Sequence, residues 1–123
     1  MATTQDPIRT ALERGHTIDI TTIGRRSGKP RRIEIVFHNI GGRIYISGIP
    51  SRNKRDWLAN LEAHPDFTFH LKGRVKADLP AKARVIEAEA ERREILPYVA
   101  RAWGRDDLEV MVRYSPLVEV SFT

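Results

Sequence analysis

The sequence contains no cysteine. Disulfides, thiolate metal centres and cysteine nucleophiles are excluded, and the composition suits a reducing cytoplasm. It also lacks a long apolar run, falling well short of the roughly 20 residues a membrane helix needs. The opening stretch, MATTQDPIRTALERG, has no apolar core of the kind a signal peptide carries. Aromatic residues are scarce at 7%. None interrupts the basic run from Arg25 to Arg32, where a single-stranded nucleic acid would need stacking platforms, so no nucleic-acid partner is expected. The four histidines, His16, His38, His64 and His70, do not pair at i, i+4 on a helix, and no acidic cluster joins them. No metal site is therefore expected. No GxSxG elbow surrounds a serine, and no close pair of strand-borne carboxylates suggests glycosidase chemistry.

What is present is a chain of 123 residues, read as one domain over 1–123 that can bury a core unaided. Its net charge of +5 is unevenly placed. Arg25 to Arg32 holds five basic residues and no acid, and Arg52 to Arg55 holds three more. The acids come later, as in Glu87, Glu89, Glu91 and Glu94. Such asymmetry points to an acidic partner.

Asp6-Pro7 reads as the start of a short helix that Gly15 stops. Thr17 to Ile23 alternates as a strand, with Ile18 and Ile20 facing one way. Gly24 to Pro30 is a turn. Arg31 to His38 and Arg43 to Ser47 form a hairpin through Asn39 to Gly42. Tyr45 and Ser47 share a strand face. Asn53 is a candidate N-cap for a helix that buries Trp57, Leu58 and Leu61 and ends before Pro65. Asp66 to Leu71, Arg74 to Ala77 and Lys82 to Ile86 read as three strands. Glu87 to Trp103 reads as a helix that Pro97 kinks or splits. A last helix runs from Asp106 or Asp107 through Met111, and Leu117 to Phe122 closes the chain as a strand. The sum is a mainly β, α+β chain of about six to seven strands, an antiparallel sheet curled into a small barrel with flanking helices.

Two segments carry chemistry. In Gly24-Arg25-Arg26-Ser27-Gly28-Lys29-Pro30-Arg31, glycines let backbone N–H groups approach an anion and arginines offer bidentate forks. The alternative is a solvated turn that happens to be basic. It is not a P-loop, since the GK[ST] ending and the following helix are missing. In Ser47 to Lys54, a loop leads into a helix whose N-terminus favours negative charge, and Arg52, Asn53 and Lys54 add to it. Plain helix capping is the alternative there. An anion-binding rim without a catalytic side-chain set belongs either to a binding module or to an enzyme whose cofactor does the chemistry.

The runs TTIGRRSGKPRR, IEIVFHNIGGRIYISG and DWLANLEAHPDFTFHLKG resemble the deazaflavin-dependent nitroreductase family, split β-barrels that bind coenzyme F420. The matching residues are Gly24, Arg25, Arg26, Ser27, Gly28, Pro30, Arg31, Trp57, Asn60-Leu61 and Ala63 to Pro65, within Ile18 to Val85. The resemblance implies that Arg25, Arg26, Ser27 and Arg31 hold the phosphate and carboxylates of the cofactor tail. It places Ser47 and Gly48 beside the deazaflavin ring and Trp57 near it, with Arg52, Asn53 and Lys54 on the second side. Tyr45 and Ser47 are the candidates for a catalytic role. The implied reaction is hydride transfer to a small electron-poor acceptor, namely a quinone, an activated alkene or a nitro compound. Relatives carry a lysine where Gly48 stands, a place that Arg52 or Lys54 fills by reaching back. Relatives active on nitroimidazoles have tyrosines that Trp103 to Met111 lacks, which weighs against the nitro reaction. FMN is the alternative cofactor, non-catalytic cofactor binding the alternative role, and a homodimer the open oligomeric alternative.

Overall fold

The computed structural model describes residues 6–15 and 17–123; His16 lies outside them. Six strands close into an antiparallel barrel: β1 (Thr17–Ile23), β2 (Pro30–Ile40), β3 (Arg43–Ser47), β4 (Asp66–Lys72), β5 (Lys76–Val85) and β6 (Leu117–Phe122). Their order around the barrel is β1-β2-β3-β6-β5-β4, and β1 pairs with β4 to close it. Four helices flank the barrel: α1 (Pro7–Arg14), α2 (Asp56–Ala63), α3 (Glu89–Trp103) and α4 (Leu108–Tyr114).

Two long strands each serve two partners. Residues 30–36 of β2 pair with β1, and residues 37–40 pair with β3. Likewise β5 runs along the whole of β4 and gives its last residues, Ala81 to Val85, to β6. Because β3 stops at Ser47, opposite the middle of β2, the first half of β2 has no strand on that side. α2 packs against β1 and β5.

Alternation decides what the barrel contains. Ile18, Ile20, Phe37, Ile46, Phe69 and Val118 are fully buried inside it, and Phe37 meets Phe69 edge-on at 5.2 Å. Leu61 of α2 joins this core. The opposite face of β3 is not solvated. Tyr45 packs there in a second core with Ile86, Leu96, Val99, Met111 and Leu117 beneath α3 and α4. Arg92 binds this layer together. Buried, it donates from Nε to the Val112 carbonyl at 2.7 Å and from Nη1 to that of Ile86 at 2.9 Å. Its Nη2 donates to the carbonyls of Met111 and Ser115. Carbonyls at the C-terminal end of α4 attract a cation, which makes a guanidinium a suitable staple there.

Three local expectations need correction. The segments Arg74 to Ala77 and Lys82 to Ile86 belong to one strand, so the barrel has six strands. Pro80 sits within it opposite Thr68, and its carbonyl accepts from the Thr123 amide, just past the end of β6. Its missing donor therefore faces a place where the neighbouring ladder has run out. Pro97 does not split α3, which continues from Glu89 to Trp103. The N-cap of α2 is Arg55, without a side-chain cap bond, rather than Asn53. No helix among the described residues is long and apolar enough to cross a membrane.

His38 is buried against Trp103, with ring centroids 5.2 Å apart, and its Nε2 has no partner. Burial lowers its pKa from the ordinary value. The unfolded chain therefore takes up a proton that the folded chain refuses. Stability from this group is full above roughly pH 6.5 and falls as pH drops toward the folded value. Urea midpoints are expected to decline between pH 7.5 and pH 5, and His38→Leu to flatten that slope; an unchanged slope would contradict the assignment.

Candidate functional site

The β1–β2 connection is built around Gly24. Its amide donates to the Lys29 carbonyl at 2.9 Å, and its carbonyl accepts from Gly28 at 2.8 Å. A Cβ at Gly24 would lie 2.5 Å from Ser27 Oγ, so a side chain there would force Ser27 to turn away from its present place in the closure. Ser27 Oγ accepts from the Lys29 amide at 3.1 Å. The turn is rigid and presents Arg25, Arg26 and Arg31 outward.

Asn60 fastens this turn to α2. It is 4% exposed. Its Oδ1 accepts from the Arg25 amide at 3.1 Å and from Arg25 Nη1 at 3.0 Å, and its Nδ2 donates to Thr22 Oγ1 at 3.3 Å. Arg25 Nη2 also reaches Asp56 at 3.3 Å. Arg25 thus spends much of its guanidinium on the helix. Arg26 and Arg31, by contrast, have no carboxylate within ion-pair distance among the described residues. Arg25, Arg26, Ser27 and Arg31 line a groove of about 670 Å³ with Thr22, Ile33, Trp57 and Asn60. This groove lies where β2 outruns β3.

The second basic loop lines a different groove, also about 670 Å³, between residues 51–55 and the layer of α3 and α4. Most of its charges have partners. Arg52 stacks 5.7 Å from the Tyr114 ring centroid, and Lys54 donates to Glu62 at 2.7 Å. The Asn53 carbonyl accepts from Ser51 Oγ. On the far wall Arg93 bridges Glu89 and Glu109 and holds the Glu109 carboxyl below its usual range. Arg52, Asn53 and Lys54 therefore do not share a groove with Arg25, Arg26, Ser27, Arg31 and Trp57. A single residue, Arg55, lines both.

Ser47 and Gly48 lie at the end of β3, under this junction. Ser47 is buried and donates from Oγ to the Pro116 carbonyl at 2.7 Å. A Cβ on Gly48 would meet Pro116 Cγ at 3.0 Å and Arg55 Nε at 3.5 Å. Neither Arg52 nor Lys54 fills the place beside Gly48; Arg55 does. Tyr45 shares its strand face with Ser47 but sits 4% exposed in the second core, and it lines neither groove. Two residues were missed as site elements from sequence. Asn60 carried a signal, as a polar residue on the buried stripe of a helix; Arg55 carried none beyond its charge.

A sequence model of the F420H(2)-dependent quinone reductase family matches residues 2–113. Among solved structures, a conserved hypothetical protein from Mycobacterium tuberculosis superposes with a TM-score of 0.73 at 18% identity, covering 99% of this chain and 82% of that one. An F420 reductase aligns with a TM-score of 0.72 at 12% identity, covering 98% and 96% of the two chains. An F420-H2 dependent reductase aligns with a TM-score of 0.61 at 22% identity, covering 85% and 93%. At these identities the structural likeness is one of fold.

Replacing Asn60 by alanine leaves the Arg25 amide without its acceptor. A loss of about 2 kcal/mol in unfolding free energy is expected for Asn60→Ala, with a smaller loss for Asn60→Asp, which keeps Oδ1. Urea denaturation of the three proteins checks this; an alanine variant as stable as the parent would contradict it.

Proposed function

The chain belongs to the F420H(2)-dependent quinone reductase family, and on that footing we propose that it delivers hydride from reduced F420 to a small electron-poor acceptor such as a quinone or an activated alkene. When bound, the deazaflavin supplies the hydride. The protein supplies binding, orientation and a site for the acceptor.

The observation that carries this reading is the Asn60-fastened turn, with its two unpaired guanidinium groups facing a groove. Among the described residues Arg26 and Arg31 have no anionic partner of their own, while Arg25 is held in place by Asn60 and Asp56. Guanidinium groups fixed on a rigid turn and lacking carboxylates suit a ligand that brings phosphate and carboxylates. In this reading the tail lies along Arg25, Arg26, Ser27 and Arg31, and the ring lies toward Trp57 and the end of β3 at Ser47 and Gly48. The groove of Arg52, Asn53 and Lys54, lined also by Leu58, Val85 and Leu117, would hold the acceptor. Holding two reactants against one another in fixed geometry removes much of the entropic barrier to a bimolecular step. Ser47 and Tyr45 serve in this scheme by shaping the wall under the ring rather than by touching it, because both are buried and Ser47 is already bonded to Pro116.

FMN offers one phosphate to the same turn and is the rival ligand. Side-by-side fluorescence titration with F420 and FMN tests the choice. F420 is expected to bind more tightly, and Arg31→Ala to weaken it at least about tenfold, or about 1.4 kcal/mol, with thermal unfolding unchanged. Wild-type protein that binds F420 no better than roughly millimolar, a gain of only about 4 kcal/mol, would overturn the proposal.

A further inference from the structure

Arg55 stands where the two grooves meet. Its side chain leaves the N-cap of α2 and turns back over the end of β3. There Nη2 donates to the Ile49 carbonyl at 3.1 Å. Nε lies 3.5 Å from the position a Cβ on Gly48 would take. That Nε is buried and has no hydrogen-bond partner. No carboxylate pairs with the guanidinium among the described residues, although its neighbours Lys54 and Arg25 each have one.

Three features concentrate positive potential at this point. No carboxylate lies within ion-pair distance of the guanidinium among the described residues, and Asp56, the acid that lines this groove, pairs with Arg25 instead. The first turn of α2 has no side-chain cap, so its free N–H groups and dipole add to the field. Arg25, Arg26 and Arg31 line the same groove from the opposite wall. A cation held in this way, with one buried donor unmet, is unfavourable in the free protein and becomes favourable when an oxyanion arrives. Gly48 borders the arrangement: a Cβ there would stand in ordinary contact with Nε at 3.5 Å, and only a side chain extending beyond it would reach the space in which the guanidinium lies.

We infer that Arg55 is the contact at which the bound ligand crosses from one groove to the other, gripping an oxyanion there, with Gly48 kept small to seat it. The inference rests on the reading above, that a deazaflavin with an anionic tail lies along the Arg25 turn. Two oxygens on such a ligand have the required chemistry, a phosphate oxygen of the tail and an ionised oxygen of the ring. Arg55 is then a binding residue that fixes how far along the groove the ligand sits.

The test is a fluorescence titration of F420, and of the same deazaflavin ring lacking phosphate and glutamates, against wild type, Arg55→Lys, Arg55→Met, Arg55→Glu and Arg31→Met. Thermal unfolding is recorded for each protein. For F420 the expected affinities fall in the order wild type, lysine, methionine, glutamate, with methionine at least about tenfold weaker than wild type. A role confined to holding the loop would not separate methionine from glutamate among variants of equal melting temperature. Weakening of F420 alone assigns the phosphate, and weakening of both ligands assigns the ring oxygen; either supports the inference. If Arg55→Met does not fold, Arg55→Gln carries the test, since it removes the charge while keeping an N–H donor for the loop, and weaker F420 binding is expected. Arg55→Met or Arg55→Gln binding F420 like wild type, while Arg31→Met loses it, would overturn the role of Arg55 and leave the function standing. Wild-type protein that fails to bind F420 at all would overturn both.

Discussion

One buried amide holds the candidate site together. Asn60, inside α2, offers its single carbonyl oxygen to both the backbone and the side chain of Arg25 and its amide nitrogen to Thr22. Without it the turn would be tied to the first turn of the helix by the exposed Arg25–Asp56 pair and by no buried polar contact among the described residues. A buried polar group of this kind is tolerated because its hydrogen bonds are met. Its effect is to convert a mobile run of arginines into a fixed arrangement in which some cations are used for structure and others are left for a ligand.

The barrel creates the space that this anchor defines. β2 and β5 are each long enough to serve two neighbours, and β3 is too short to accompany β2 along its whole length. α2 packs against β1 and β5, with Leu61 in the barrel core and Trp57 lining the basic groove together with Ile33 of that half of β2. The same side chains that close the hydrophobic interior therefore set the position of the basic groove. On the far side, Arg92 draws the carbonyls of α4 and the chain after β5 into one layer, which forms the opposite wall of the second groove.

Much of this was legible in the sequence. Strict alternation of β-branched residues located β1 and β3 to the residue, and Asp6-Pro7 located the start of α1, where the Asp6 carboxylate accepts from the Ile8 amide. Arg74 to Ala77 and Lys82 to Ile86 read as separate strands, whereas β5 runs through Pro80, whose place opposite the end of β6 depends on the length of that strand. Asn53 misled because its carbonyl, rather than its side chain, is used, and the helix begins later. The parity of Tyr45 and Ser47 was read correctly as a shared face. What covers that face is decided by α3 and α4, which the strand's own residues do not reveal. Charge likewise drew attention to Arg52 and Lys54, yet both have partners in the fold. Arg55, which holds a backbone carbonyl but no carboxylate among the described residues, is indistinguishable from them in a string of basic residues.

The central claim is that the Asn60-anchored turn and the segment from the end of β3 into α2 hold one and the same ligand. Hydrogen–deuterium exchange of the wild-type protein, with and without saturating F420, tests it most directly. The expected result is protection of amides in residues 24–31 and in residues 47–57, growing in parallel as ligand is added. Protection in only one of these segments, or in neither, would contradict it.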